Sequence, residues 1–429
     1  MPPQRQLGFV SATALVIASM VGSGVFTTSG ILLADLHSPS LVLAAWLAGG
    51  VIAVLGALCY GALARRYPES GGEYILLART LHPAAGYLAG WVSLLVGFSA
   101  PLAAVVLAFG EYLKEWLTFS TPRLTGSFLL AAFAAVHAIH VQRGAWVQNF
   151  AVLIKLLLIV VLVGLACARL EPGPQPQVEH FPLAAFAVSL VRVSFSYSGW
   201  NAVIYIAGEI RDPDRNLPRA MAVGAGLVTL LYLALNTVFV YAAPAEKLAG
   251  KTEVARIAAE SLGGASFASL ITALITLALA TSASSMLMAG PRVYARMADD
   301  GYLPSWLRFP RQGPPRAAIL FQTILALVML WSLTFRVLLT YIGFTLGLST
   351  AAAVGGLVRL RLREGPSVPV PGWPWAPWIF IAAVVAITGF TIARQPTESA
   401  LGLVTIVIGL AAWRFAAGKR RQGGLSSET

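Results

Sequence analysis

Two interruptions in otherwise apolar sequence carry the residues able to do chemistry. Gly22-Ser23-Gly24 lies inside the run ALVIASMVGSGVFTTSG (residues 14–30), and Ser198-Gly199 lies inside LVRVSFSYSGWNAVIYIAGEI (residues 190–210). A mid-helix glycine costs roughly 1 kcal/mol against alanine, and backbone freed from a helix finds no water in hydrocarbon. Such breaks persist where they line a polar hollow, with free amides at the start of one half-helix and free carbonyls at the end of another. Amides at a half-helix N-terminus hold an anion and carbonyls at a C-terminus hold a cation. A close helix crossing, for which small residues also serve, is the other reading.

Charged and hydroxylic side chains near these breaks are few. Lys155, in FAVLIKLLLIV, sits within an apolar run. An ammonium at that depth must either snorkel to the headgroups or face the interior and meet carbonyls and hydroxyls. In the second case it reaches the first break, fills the place of a sodium ion, and becomes a group able to exchange a proton. The patch ATSASSM (residues 280–286) offers Ser284 and Ser285 as partners for Lys155 or an ion, unless its hydroxyls bond to their own helix. Arg192 precedes the second break and either attracts a carboxylate or pairs with Glu111 or another acid. Phe195 shares a helical face with Gly199, which suits a gate, while Trp200 reads as packing.

All 18 acidic residues fall at the ends of apolar runs or in loops, and no histidine lies at mid-run. That distribution argues against a membrane hydrolase, a metal centre or a carboxylate proton relay, so no cofactor and no metal are expected. Cys59 and Cys167 have no ligand spacing and read as packing residues.

The elements that position these groups follow from composition. The chain has 429 residues, 57% hydrophobic and 11% charged, with a net charge of +12. Soluble proteins carry about 25% charged residues, so this is an all-α integral membrane chain in contact with the lipid bilayer. Twelve apolar runs of helix-spanning length occur, at about 8–35, 41–64, 84–112, 125–141, 146–168, 183–209, 218–242, 266–290, 317–335, 337–358, 376–394 and 399–417. A Pro-rich loop, Glu171 to His180, and a predicted surface helix, Glu246 to Gly264, lie between them. With the N-terminus in the cytoplasm, 20 Lys and Arg fall on that side and 8 on the other, which places both termini inside and disposes of a nucleic-acid partner.

Five spans separate the breaks, so the first and sixth spans enter from opposite faces. This is the mark of an inverted repeat, here about 8–168 and 183–363 of a single transmembrane domain, with additional helices at about 376–417.

GSGVF in the first span, PESGGEYILLAR after the second, RGAWVQN before the fifth, FSYSGWNAVIYIAGEIRDPDRNLPRA in the sixth and GPRVYARMADDGYLP after the eighth resemble the amino acid–polyamine–organocation (APC) superfamily of amino acid permeases, nearest its bacterial and L-type branches. The resemblance implies a 5+5 inverted-repeat fold with broken helices 1 and 6 and two further helices, working by alternating access. It implies that Gly22, Ser23 and Gly24 hold a substrate carboxylate by their amides. Carbonyls of Met20, Val21, Phe195, Ser196 and Ser198, beside Gly199, would hold the ammonium, Phe195 would gate, and Lys155 would replace sodium. Ser198 departs from the commoner pattern at that position, as does Arg192 nearby.

No carboxylate is visible among those residues, so neutral L-amino acids are the expected substrate. The expected activity is amino acid transport at the cell inner (plasma) membrane, as proton symporter or antiporter, with no enzyme activity. A transporter-like sensor remains an alternative, and a membrane enzyme lacks the base its nucleophile would need. The sequence names no partner subunit.

Overall fold

The computed structural model of the chain describes residues 5–114, 116–139, 141–170, 181–332, 345–394 and 396–425. Among the described residues the regular structure is helical, with one isolated parallel bridge between Leu7 and Ile210. A helix satisfies its backbone within itself, which apolar sequence in lipid requires.

α1 (Phe9–Met20) and α2 (Gly24–Leu36) form a pair bent by 41°. α3 (Pro39–Arg66) begins on Ser38, whose hydroxyl accepts the Leu41 amide, with Pro39 at the first helical position. The short α4 (Glu73–Thr80) leads into α5 (Pro83–Val92), a π-helical stretch at Ser93–Ser99 and α6 (Ala100–Leu113), which together make one apolar span. α7 (Pro122–Ile139) and α8 (Val141–Cys167) follow. α9 (Leu183–Ser196) stops at the second interruption, and the chain resumes as a 3-10 helix, Ala202–Glu209. Then come α10 (Pro213–Tyr241), the single turn α11 (Ala245–Leu248) and α12 (Val254–Asp299). α13 (Arg316–Ser332), α14 (Thr345–Glu364), α15 (Trp375–Arg394) and α16 (Pro396–Leu425) complete the order.

Among the described residues seven helices are long and apolar enough to cross a membrane, or eight when the bent pair counts as one span. Leu183–Ser196, Arg316–Ser332 and Gly402–Ala416 are shorter apolar helices. The sixth predicted span falls below that length because it is divided. The junction of the ninth and tenth, including residues 333–344, lies outside the described residues, as do the Pro-rich loop and Arg336.

Packing centres on the first pair: α10 lies against α1 and α3, while α12 runs along α1, α6 and α8. Small residues make these approaches possible, as at Gly224 of α10, where an added Cβ would stand 2.6 Å from Val16. Two expectations need correction. The predicted surface helix is two pieces, α11 and the start of α12, which then kinks at Gly263 and Gly264; Leu248, Val254, Ala255, Ala258 and Ala259 are buried, so this segment packs into the bundle. Cys59 is buried, but Cys167 is exposed, because it is the last residue of α8.

Candidate functional site

Val21, with φ −80° and ψ 87°, ends the helical bonding of α1. The Gly22 amide turns back to Met20 O at 3.0 Å, and the Phe26 amide to Ser23 O at 3.0 Å. Among the described residues the amides of Ser23, Gly24 and Val25 find no protein acceptor. α2 therefore opens with its positive end bare.

The second break spans Tyr197 to Asn201 and depends on Gly199, whose φ of 101° disfavours any side chain. A Cβ built there would stand 2.8 Å from the Ser19 carbonyl, so the second break lies directly on the end of α1. Gly24 meets α9 as closely: its Cβ would fall 2.6 Å from Ser196 Oγ. Thr28 and Ser196 hydroxyls share a hydrogen bond of 3.0 Å. The two interruptions thus face one another across glycines, with hydroxyls bridging them.

Tyr232 of α10 ties the breaks together. Its hydroxyl lies 2.6 Å from Met20 O and 3.1 Å from Ser196 O, so one proton serves both carbonyls. Met20 O, which also accepts the Gly22 amide, has both lone pairs engaged. Val21 O, which accepts Lys155, and Phe195 O, which accepts the Ser198 amide at 3.1 Å, each have one lone pair in use, and Ser198 O accepts no backbone amide outside a helix among the described residues. Behind them Trp46, Tyr197 and Tyr232 pack with ring centroids 4.9–5.8 Å apart. Trp46 Nε1 donates to Ser29 Oγ at 2.8 Å, and Tyr197 donates to Trp46 O at 3.0 Å.

Lys155 is fully buried. Its Nζ donates to Thr281 Oγ1 at 2.9 Å and to Val21 O at 3.4 Å, which joins α8 and α12 to the first break. Thr281 passes its own proton to Ala278 O. Ser284 and Ser285 do not meet the ammonium. Ser284 bonds Gln148 and His137, at 2.7 and 2.9 Å, and Ser285 bonds Ser282 O, because the rotation of α12 turns Thr281 toward Lys155. Phe195 leaves 49% of its surface exposed. Arg192 pairs with Asp35 at the end of α2, not with Glu111. Trp200 packs against Tyr60 and Phe380.

Sequence reasoning passed over Tyr232 and Thr281. Thr281 stood within the hydroxyl patch and only its azimuth was undetermined. Tyr232 carries no local signal, since nothing in α10 marks it as facing a break.

Toward the end of the bundle holding the N-terminus, the second break is closed by polar contacts. Glu73, at the start of α4, accepts hydrogen bonds from Tyr60, Asn201 and Tyr205. Burial pushes its carboxyl above the usual glutamate range, against the effect of those three donors. Glu209 and Arg292 form a buried two-pronged pair at 2.8 and 3.1 Å. The Gln6 and Leu7 amides donate to Glu209 O. Arg296 bonds Glu69 at 2.7 Å and Tyr74 donates to Asp300 at 2.6 Å. Among the described residues no group of His, Cys, Asp and Glu is arranged to hold a metal ion.

Comparison with known proteins agrees in kind. Residues 7–412 match a family model described as amino acid permease. The human large neutral amino acids transporter small subunit 2 is 29% identical over 427 residues, covering 95% of this chain and 79% of its own length. The human b(0,+)-type amino acid transporter 1 is 28% identical over 377 residues, covering 84% of this chain and 77% of its own.

Proposed function

The chain belongs to the amino acid permease family of the APC superfamily, a family of transporters and not enzymes, and within it we propose a secondary active transporter of neutral L-amino acids. The observation that carries this reading is the facing pair of breaks. Unbonded amides of Ser23 and Gly24 stand on one side, and carbonyls with free lone pairs at Val21, Phe195 and Ser198 on the other. A zwitterion needs an anion site and a cation site close together, and main-chain dipoles supply both without a charged side chain.

In this reading the α-carboxylate sits on the amides of Ser23 and Gly24 beside Gly22. The α-ammonium takes the second lone pair of Val21 O together with Phe195 O and Ser198 O. Met20 and Ser196 serve the site through Tyr232 rather than by direct contact. Phe195 closes over the occupied site. Lys155 holds Val21 in place as a sodium ion would, and is the group through which a proton couples to transport.

The molecule works by alternating access: twelve spans, both termini cytoplasmic, with repeats at about 8–168 and 183–363 moving around the fixed breaks at the plasma membrane. The contacts around Glu73 and Glu209 then form the closed cytoplasmic side. Counterflow of radiolabelled leucine in proteoliposomes tests the proposal. Uptake accelerated by internal unlabelled leucine marks exchange, and uptake that follows an imposed pH gradient marks proton symport. Failure of both sinks the transport reading.

A further inference from the structure

His137 is a buried titratable side chain that the site between the breaks leaves unused. It lies in the last turn of α7. Its Nε2 is 2.9 Å from Ser284 Oγ, which donates to Gln148 Oε1 at 2.7 Å. Ser284 has one proton, already given to Gln148, so Nε2 supplies the hydrogen of its own bond. The other ring nitrogen lies against Gly144 of α8, where an added Cβ would fall 2.4 Å from Nδ1. Glycine at this position lets the ring enter beside α8.

Helical spacing connects this cluster to Lys155. Gln148 and Lys155 are seven residues apart on α8 and share a face, as do Thr281 and Ser284, three apart on α12. Two polar layers result: Lys155 with Thr281 beside the first break, and Gln148 with Ser284 and His137 nearer the start of α8. Cβ atoms three apart on a helix lie about 5–6 Å from each other. One water spans such a gap with two hydrogen bonds of about 2.8 Å. Gln148 Nε2 is buried and, among the described residues, has no acceptor. A buried donor in that position calls for an ordered water.

The cluster sits at the end of the bundle holding the N-terminus, since Asn149 Nδ2 donates to Ser11 Oγ at 2.8 Å. Beyond Gly144 the first turn of α8 is exposed at Gln142. The charged groups brought by the neighbouring elements are Arg292 of α12, paired with Glu209, and Arg316 of α13, whose Nε donates to Ala138 O at 2.8 Å. α8 brings Lys155 itself, and α6 has its acid, Glu111, at the opposite end.

We infer that His137 passes protons between Lys155 and the side of the membrane holding the N-terminus, through Ser284 and a water held by Gln148 Nε2. The relay rests on the reading of Lys155 as the group that couples a proton to transport. To load Lys155, a proton from solvent adds to Nδ1 and Nε2 gives its proton to Ser284 Oγ. Ser284 gives its own to the water, the water gives one to Thr281 Oγ1, and Thr281 gives its own to the Lys155 amine. Only N–H and O–H bonds break and form, and the ring ends neutral with its one proton on Nδ1. Release runs the same steps in reverse.

Proteoliposomes separate this role from a structural one. Counterflow exchanges leucine for leucine without net proton transfer, whereas uptake driven by a pH gradient requires it. His137→Gln keeps a donor to Ser284 but cannot take up a proton. It should lower gradient-driven uptake about 100-fold relative to counterflow, the low end of what a positioned acid–base group contributes. Ser284→Ala should do the same, and Ser284→Thr should recover it. A pH-sensitive dye inside the vesicles should report the matching loss of leucine-coupled proton entry. The inference is overturned if His137→Gln lowers both modes alike or neither, if Ser284→Ala behaves as the wild type, or if wild-type counterflow occurs with no response to a pH gradient. A wild-type chain lacking both modes would instead overturn the transport reading.

Discussion

The ammonium of Lys155 meets a hydroxyl and a carbonyl and, among the described residues, no carboxylate. Its removal leaves Val21 O without that donor and lets the first break relax. Lys155→Ala should therefore insert normally yet lose at least about tenfold in leucine uptake, as loss of a misplaced site does; uptake at wild-type rates would refute the role. Gly199→Ala is a separate test of geometry, because it combines a strained φ with a collision against Ser19. It should cost about 1–3 kcal/mol, read as a lower melting temperature in detergent, and should abolish uptake. At this scale the glycines were legible, because only a functional or packing demand keeps them inside a span. The partners were not. Whether Lys155 meets Thr281 or Ser284 depends on the rotation of α12, and Arg192 finds Asp35 because α2 and α9 run side by side, which local spacing does not reveal.

Elements explain why the second break is held open. The 3-10 segment Ala202–Glu209 is pinned by Glu73 through Tyr205, with Asn201 beside it, and by Arg292 through Glu209. Breaking a buried pair strands a charge, so Arg292→Ala should cost about 3–5 kcal/mol, whereas Arg292→Met with Glu209→Leu should recover most of the melting temperature. A double variant no better than the single would show that packing, not stranded charge, sets the cost. Glu73 gives a pH signature. With its carboxyl raised in the folded state, the folded chain binds the proton more tightly than the unfolded chain. Stability then falls as pH rises through that window and grows on acidification. Melting temperatures of wild type and Glu73→Gln should diverge in favour of the wild type as pH is lowered from neutral; a constant difference would contradict the assignment. Helical periods marked most of the spans, but the polar closure around Glu73 was hidden. It joins residues from α3, α4 and the second break that lie far apart in sequence.

At the scale of the whole molecule, composition alone was enough to place the chain in a membrane, and the two breaks were enough to suggest a shared hollow. Orientation rests on charge counts and is open to direct labelling. In a Cys167→Ser background, a cysteine at Ser427 should react with an impermeant maleimide only in inside-out vesicles. A cysteine at Phe119, in the exposed connection between α6 and α7, should react only in right-side-out vesicles. The reverse pattern would invert the molecule and move the contacts around Glu73 and Glu209 to the outer side. The location of bound leucine tests most directly whether main-chain groups grip the cargo. A cryo-EM map of the chain in nanodiscs saturated with leucine should place the carboxylate within about 3 Å of the Ser23 or Gly24 amide, with the ammonium on the Val21 and Ser198 carbonyls. Leucine found away from both breaks, or held there by charged side chains alone, would contradict it.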